Sequence, residues 1–176
     1  MANTVTITIK EATAVKRFQQ VTYKQGRAVE QPNVMKQVYN IQADSEDSAD
    51  AGLTHDSYQR WLYEAVRVVR EYMTSEPTVS NTDETSITLL MPSNWEHYTN
   101  APGLKYAMLE LILNGMLADW YDTVEPDSAV TYKKKAELNK AEIKSIIYSL
   151  SAPSVTVSSN AGTFADAGTE AEETGQ

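Results

Sequence analysis

The longest apolar stretch of the chain runs from Leu104 to Tyr121 and carries only four polar side chains: Lys105, Glu110, Asn114 and Asp119. At the turn of about 100° per residue in a helix, Glu110 and Asn114 share one narrow stripe, and the other two fall on a nearly opposite stripe. The apolar flanks between these stripes predict a central helix that other elements cover on both sides. Its length of about eighteen residues approaches that of a membrane span. The polar side chains and the acidic flank argue against such a span.

A second helix is predicted after Asp56 by apolar side chains that recur three and four residues apart. Asp56 takes the N-cap position and Gln59 follows three residues later, an arrangement that resembles a capping box. Charged residues fill the opposite face, as they do on the solvent side of an amphipathic helix. The apolar positions are Tyr58, Trp61, Leu62, Ala65, Val66, Val69, Tyr72 and Met73.

Two short segments, residues 4–9 and 85–91, alternate between apolar and polar side chains, as half-buried strands do. We predict that these two strands pair with each other. Between them, residues 11–25 form a short predicted helix that ends at Gly26. The residues on the apolar faces of the two strands are Val5, Ile7, Ile9, Ile87, Leu89 and Met91.

Pro102 and Pro126 stand where the central helix and the last helix are predicted to begin. The short turn between these two long helices predicts an antiparallel hairpin. Residues 31–42 fit a strand or a short helix equally well, and residues 43–52 form an acidic loop that lacks the calcium-loop pattern. The apolar stripe of the last helix is Ala129, Tyr132, Ala136, Ile143, Ile147 and Leu150.

These elements predict a mainly α fold with a small β component (α+β). It is a helical bundle around the central apolar helix plus a short sheet of two or three strands. Residues 1–150 are expected to form a single domain, because a chain of 176 residues is long enough for one real core. The predicted core is built by Trp61, Leu62, Val66, Val69, Leu109, Ile112, Leu113, Met116, Ile143 and Ile147.

Residues 151–176 differ from the rest of the chain, since Ala, Ser, Thr, Gly and Glu dominate them. Such a composition cannot bury enough apolar area to offset the entropy lost on ordering. We therefore predict an extended C-terminal arm that becomes ordered only against other chains. Within it, Val155, Val157 and Phe164 are spaced anchors, and residues 154–158 alternate like a strand that adds to an exposed sheet edge.

The formal net charge of −9 argues against broad nucleic-acid affinity, which needs Lys and Arg to neutralise phosphates. The charge is unevenly spread: residues 10–36 carry six bases and two acids, whereas residues 44–56 carry five acids and no base. This split suits head-to-tail contacts between copies, or it is an ordinary solvated surface. The absence of cysteine excludes disulfides and thiolate chemistry. We expect no secretion signal, because the first residues lack a basic region followed by an apolar one.

Few residues offer candidate chemistry. His55 and His97 would need a nucleophile that no spacing marks, so capping or surface roles are favoured. Asp119, Asp122 and Glu110 lack the Glu-x-x-His motif of helical two-metal sites. We therefore expect no catalytic residue, no metal and no cofactor. The basic cluster of Lys133, Lys134 and Lys135 has no aromatic platform for nucleic acid, and we expect it to lie in solvent or to contact acids on a neighbouring chain.

At the predicted hairpin, the segments LKYAMLELIL (104–113) and ADWYD (118–122) are followed by a short turn and a helix with Tyr132, Ala136 and residues 143–148. This pattern resembles the small helical head–tail connector (adaptor, or neck ring) proteins of tailed bacteriophages and related prophage proteins of gut Bacteroidales. The resemblance covers residues 104–150. The N-terminal strand and helix depart from all-helical connectors.

The resemblance implies a non-enzymatic virion protein of the neck or tail region, assembled in the host cytoplasm. It implies a homo-oligomeric ring of about twelve copies between the portal protein and the tail proteins. Genomic DNA would pass through the ring without specific binding, and an acidic lumen would keep it from sticking. The alternatives are a tail-completion or terminator ring, or a soluble acidic cytoplasmic binding protein. No membrane partner is implied.

Overall fold

The computed structural model of the chain describes residues 3–28, 49–80, 83–95 and 97–149. Four helices and a three-stranded antiparallel sheet form this part, which confirms the predicted mainly α fold with a small β component. The expectations for residues 31–42 and for the arm lie outside it. The elements are β1 (Asn3–Lys10), α1 (Glu11–Ala28), α2 (Ala49–Val69), a 3-10 turn (Arg70–Tyr72), β2 (Thr78–Val79), β3 (Glu84–Met91), α3 (His97–Val124) and α4 (Pro126–Tyr148).

The sheet forms as the alternation predicted. β1 and β3 pair antiparallel along their whole length, from Asn3 opposite Met91 to Lys10 opposite Glu84. β2 adds two residues to the other side of β3, so β3 is the central strand. Because successive side chains point to opposite faces of a strand, one face enters the core. The buried side chains are Val5, Ile7, Ile9, Ile87, Leu89 and Met91.

Helix α3 lies at the centre of the molecule, because α1, α2, α4 and β1 all pack against it. Every residue from Leu111 to Ala118 is buried, so about two turns are covered on all sides. Full burial of each large aliphatic side chain here stabilises the fold by about 1.5–3 kcal/mol. The central helix is confirmed, and so is the predicted core, except that Trp61 is only partly buried. None of the described helices is long and apolar enough to cross a membrane.

Helices α3 and α4 form the predicted antiparallel hairpin, with Glu125 alone between them. The Glu125 N–H donates to the Tyr121 carbonyl at 2.8 Å, and Pro126 starts α4 at a position where no N–H is needed. At the far end, Trp95 Nε1 donates to the Ile146 carbonyl at 3.0 Å. The predicted α4 stripe is buried from Ala129 to Ile147, and Leu150 falls outside the described residues.

The prediction that Pro102 starts the central helix was wrong, because α3 begins at His97. Pro102 occupies the sixth position, where its missing N–H deprives the Tyr98 carbonyl of its helical partner. A tertiary contact holds the added first turn in place. Asn100 Nδ2 donates to the Ser149 carbonyl at the end of α4, at 3.3 Å.

The prediction that Asp56 caps the second helix was also wrong. α2 begins at Ala49, so Asp56 is an exposed residue inside the helix, and residues 49–52 are helical instead of part of a loop. The added turns contact α1, since His55 Nδ1 lies 2.7 Å from Glu11 Oε1. α1 itself continues past Gly26 to Ala28.

Gly115 is the position on α3 where the indole of Trp61 packs directly against the helix backbone. A methyl carbon there would lie 1.9 Å from Trp61 Cδ2, and the rigid ring is also held by a hydrogen bond from Nε1 to Asp119. We expect Gly115→Ala to destabilise the fold by about 1–3 kcal/mol from overpacking. This cost exceeds the about 0.5–1 kcal/mol that alanine gains over glycine in a helix.

Gly103→Ala is the matched control, because the nearest atom to a methyl group there is Ile146 Cδ1 at 3.8 Å, an ordinary contact. This variant keeps only the helix-propensity gain, so its free energy of unfolding should rise by up to about 1 kcal/mol. Urea denaturation of both variants measures the difference. A Gly115→Ala protein as stable as Gly103→Ala would contradict the packing of the Trp61 ring against Gly115.

Candidate interaction surface

Among the described residues, the outer side of β1 is an open sheet edge. β1 is eight residues long, and in the described part of the chain its backbone pairs only with β3. The other side of β3 is occupied by β2, by the bridge between Met73 and Leu89, and by a hydrogen bond from Thr74 N–H to the Thr88 carbonyl at 3.0 Å. A long strand with one unpaired side is a template for pairing with another chain.

The two faces of this edge differ in chemistry. Val5, Ile7 and Ile9 face the core, whereas the threonines between them face outward. The outward hydroxyls meet partners across the ladder, with Thr6 Oγ1 at 3.5 Å from Thr88 Oγ1 and Thr8 Oγ1 at 3.4 Å from Ser86 Oγ. An incoming strand would therefore need one apolar face and one face of small hydroxyl side chains.

The predicted basic cluster lies on the exposed side of α4 near the hairpin turn. Lys133 Nζ pairs with Asp122 Oδ1 at 2.7 Å across the turn, and Lys135 Nζ lies 4.7 Å from the centre of the Tyr132 ring. Lys134 has no ion-pair partner among the described residues. Exposed pairs of this kind contribute little stability, so all three ammonium groups remain accessible to a partner. Their contact with a neighbouring chain stays a prediction.

The predicted anchors Val155, Val157 and Phe164 lie outside the described residues. The described chain ends close to the sheet. Tyr148 meets Tyr72 edge to face, with ring centres 6.2 Å apart, and Tyr72 immediately precedes Met73 of the β3 bridge. Helix α4 therefore ends beside the sheet, on the side of β3 that faces away from β1.

The acidic side chains of α3 that the sequence offered as candidate chemistry point to different neighbours. Glu110 pairs with Arg17 of α1, and Asp122 pairs with Lys133 of α4. Asp119 pairs with Arg60 and accepts hydrogen bonds at 2.7 Å from Ser57 Oγ and Trp61 Nε1, all on α2. Among the residues that the structure describes, no group of three or more potential metal ligands forms. These carboxylates connect helices.

Asn114 completes this pattern. It is buried on α3, and its Nδ2 donates to Asn139 Oδ1 of α4 at 2.8 Å. A buried amide without a partner would cost about 1–3 kcal/mol, so this bond favours one alignment of α4 along α3. The sequence showed the polar residues of α3 but not their partners Arg17, Ser57 and Arg60, since nothing local marks a contact between distant helices.

The two histidines of the sequence lie on different helices, His55 on α2 and His97 at the start of α3. His97 begins α3, and its side chain lies outside the described part. His55 is about half exposed and pairs with Glu11 at the start of α1. The hydrogen bond that the Glu11 carboxylate accepts from the His55 ring raises the pKa of His55 above its usual 6.5. Burial partly opposes this shift, and the charges of Glu11, Asp56 and Asp83 add to it.

Tyr58 is fully buried one turn after His55. Burial raises the pKa of its phenol to about 12, so the group is neutral at physiological pH. Thr85 lies near enough to lower that pKa slightly, yet the hydroxyl forms no hydrogen bond of normal geometry with a described residue. The phenol therefore adds no charge to the His55–Glu11 pair.

The His55–Glu11 pair predicts a pH dependence of known sign. Because its pKa is raised in the folded state, His55 stabilises the fold below the unfolded-state pKa near 6.5, and this contribution is lost as pH rises through the folded-state pKa. We expect Glu11→Gln to move the His55 pKa down toward its usual value in an NMR titration of the ring protons. The melting temperature should then fall less between pH 6 and pH 8 than in the unmodified protein. These two pH values lie on either side of the usual histidine pKa.

Glu64→Gln is the control, because Glu64 pairs with Arg67 and Lys140 and does not contact His55. It should leave the titration unchanged. An unshifted His55 pKa in Glu11→Gln would show that the pair does not persist in solution.

The chain was compared with protein-family models, with curated proteins and with solved structures, and none of them matches it. A function has to be argued from its own residues and from the resemblance of its hairpin to connector proteins.

Proposed function

We propose that this chain is a non-enzymatic structural protein of a tailed-bacteriophage virion, a head–tail connector or adaptor subunit. Copies form a ring between the portal and the tail, and the genomic DNA passes through its channel. The observation that carries the proposal is the α3–α4 hairpin, whose residues hold the resemblance to connector proteins.

Three aromatic residues in the segments that resemble connector proteins, Trp120, Tyr121 and Tyr132, also stabilise the hairpin. The rings of Tyr121 and Tyr132 stack across the turn, with centres 5.2 Å apart and planes at 6°. Trp120 packs edge to face on Tyr121 at 4.7 Å and on Phe18 of α1 at 6.5 Å. Aromatic pairs of this geometry contribute about 0.5–1.5 kcal/mol each beyond their burial. The aromatic cluster of Phe18, Trp120, Tyr121 and Tyr132 therefore makes the hairpin a rigid unit, as a ring subunit requires.

The charge of the chain supports the same role. A net charge of −9 repels DNA, so an acidic channel lets a duplex slide without adhering. The exposed lysines of α4 form one small positively charged surface on this negatively charged chain. In a ring, each subunit presents two different surfaces to its two neighbours, so a basic surface on one copy can meet an acidic one on the next.

Native mass spectrometry of the full chain tests the proposal. We expect a closed assembly of about 235 kDa, for about twelve copies of the 19.6 kDa chain, and a ring in electron-microscopic class averages. The measurement should cover a range of protein concentrations, because association follows mass action.

A monomer or dimer at every concentration would contradict the ring and favour the soluble acidic binding protein. A ring that binds tail proteins and not the portal would favour the tail-completion protein. Binding experiments with purified neck and tail components distinguish both of these proteins from a connector.

A further inference from the structure

We propose that the open edge of β1 accepts residues 154–158 from a second copy of this chain as an added antiparallel strand. Each copy then offers its arm to the next, and the contact is head to tail. The inference deepens the proposed function and rests on it for the closure of the ring, because strand exchange alone does not fix the number of copies.

The acceptor is a strand without the usual protection of a sheet edge. Proteins shield such edges with prolines, bulges, inward charges or very short strands. β1 has no proline, keeps an unbroken register with β3 over eight residues, and carries its one charge at the terminal Lys10. That lysine is already paired with Glu84. Nothing in the described strand opposes the addition of another one.

The donor has the pattern that this edge needs. Residues 154–158 read Ser-Val-Thr-Val-Ser, and β1 reads Thr-Val-Thr-Ile-Thr over residues 4–8. With Val155 and Val157 on the core side, Thr156 would extend the outward row of hydroxyls that Thr6 and Thr88 begin. Main-chain hydrogen bonds supply affinity in this mode of binding, and the alternating side chains supply register.

Geometry favours a second copy over the chain's own arm. The described chain ends at Ser149, directly after Tyr148, whose ring meets that of Tyr72. Because Tyr72 precedes the Met73–Leu89 bridge, the end of α4 lies near the Met91 end of the sheet, on the side away from β1. An antiparallel strand that pairs all five residues with β1 has to begin opposite Thr8 or Lys10, roughly 17–23 Å along the sheet from the Asn3 end, and on the far side of β3 and β1. Residues 150–153 allow residue 154 to lie at most about 18 Å from Ser149. A copy's own arm therefore cannot begin there.

The chain's own arm could reach only the Asn3 end of β1, after crossing the end of the sheet, and would have to run parallel to β1 to pair all of residues 154–158 with it. Parallel pairing is slightly less stable per residue than antiparallel pairing. The orientation of the added strand thus distinguishes exchange between copies from closure within one copy.

Disulfide trapping tests the proposal, and because the sequence has no cysteine, only the introduced thiols can react. Full-length chains with Thr156→Cys are mixed with chains that carry Thr4→Cys, Thr6→Cys or Thr8→Cys and are then oxidised. Opposed residues of an antiparallel pair have Cα atoms about 4.5–5.5 Å apart, within disulfide range. We expect at least one mixture to give a disulfide between the two variants, identified by peptide mapping, in at least about tenfold the yield of the control mixture.

The control mixture pairs Thr156→Cys with Thr131→Cys, an exposed threonine on α4. A second pair of variants tests the anchors. Val155→Asp with Val157→Asp should abolish both the trapped dimer and the assembly, because it places two charges on the core side of the strand. Ala161→Asp with Ala165→Asp adds the same charge to the arm outside the strand and should leave both intact.

Three results would overturn the proposal. A disulfide within single Thr6→Cys/Thr156→Cys chains that stay monomeric would show that the arm closes on its own sheet. Assembly without any trapped dimer would reject strand exchange and leave the proposed ring standing. Monomers that never cross-link would reject both the strand exchange and the proposed function.

Discussion

The constraint on which the rest of the structure depends is the complete burial of α3 between Leu111 and Ala118. A helix that is apolar on all sides has no face to present to water, so other elements must surround it. α1, α2 and β1 cover part of it, and α4 folds back along another side through a turn of one residue. The small sheet belongs to the same cover, since its apolar face packs toward α3.

The few polar side chains of α3 determine how these covering elements are aligned. Glu110 meets α1, Asn114 meets α4, and Asp119 meets α2 through three separate partners. Apolar packing is tolerant of sliding, whereas a partly buried polar group costs free energy unless it finds its own partner. These hydrogen bonds and ion pairs therefore favour one specific arrangement of a largely apolar bundle. The acidic residues of α3 that the sequence offers as candidate chemistry have this structural role.

The same arrangement leaves two surfaces without an internal partner in the described chain. The edge of β1 is open because strand order puts β3 in the centre, and the lysines of α4 are exposed because the buried stripe of that helix faces α3. A protein that assembles into a ring needs two different surfaces of this kind. The aromatic cluster at the hairpin turn holds the helix that carries the lysines in a fixed position relative to the rest of the fold.

The sequence by itself determined the elements whose pattern is local. The alternation of residues 4–9 and 85–91 predicted two strands, the apolar run around Ile112 predicted a central helix, and the short turn before Pro126 predicted an antiparallel pair; the structure confirms all three. Periodicity suffices for these features because each residue's burial follows from its position in one element. The basic cluster of α4 was visible in the same way, although its contacts with Asp122 and Tyr132 were not.

Only the tertiary structure decided where helices begin, which polar groups pair and which strand lies at the edge. α2 starts at Ala49 instead of Asp56, and α3 at His97 instead of Pro102; contacts with α1 and with the end of α4 accompany these added turns. Gly115 has to be a glycine because Trp61, distant in sequence, lies against it. Each of these features depends on an interaction between residues far apart in the chain, and local propensity carries no information about such a partner.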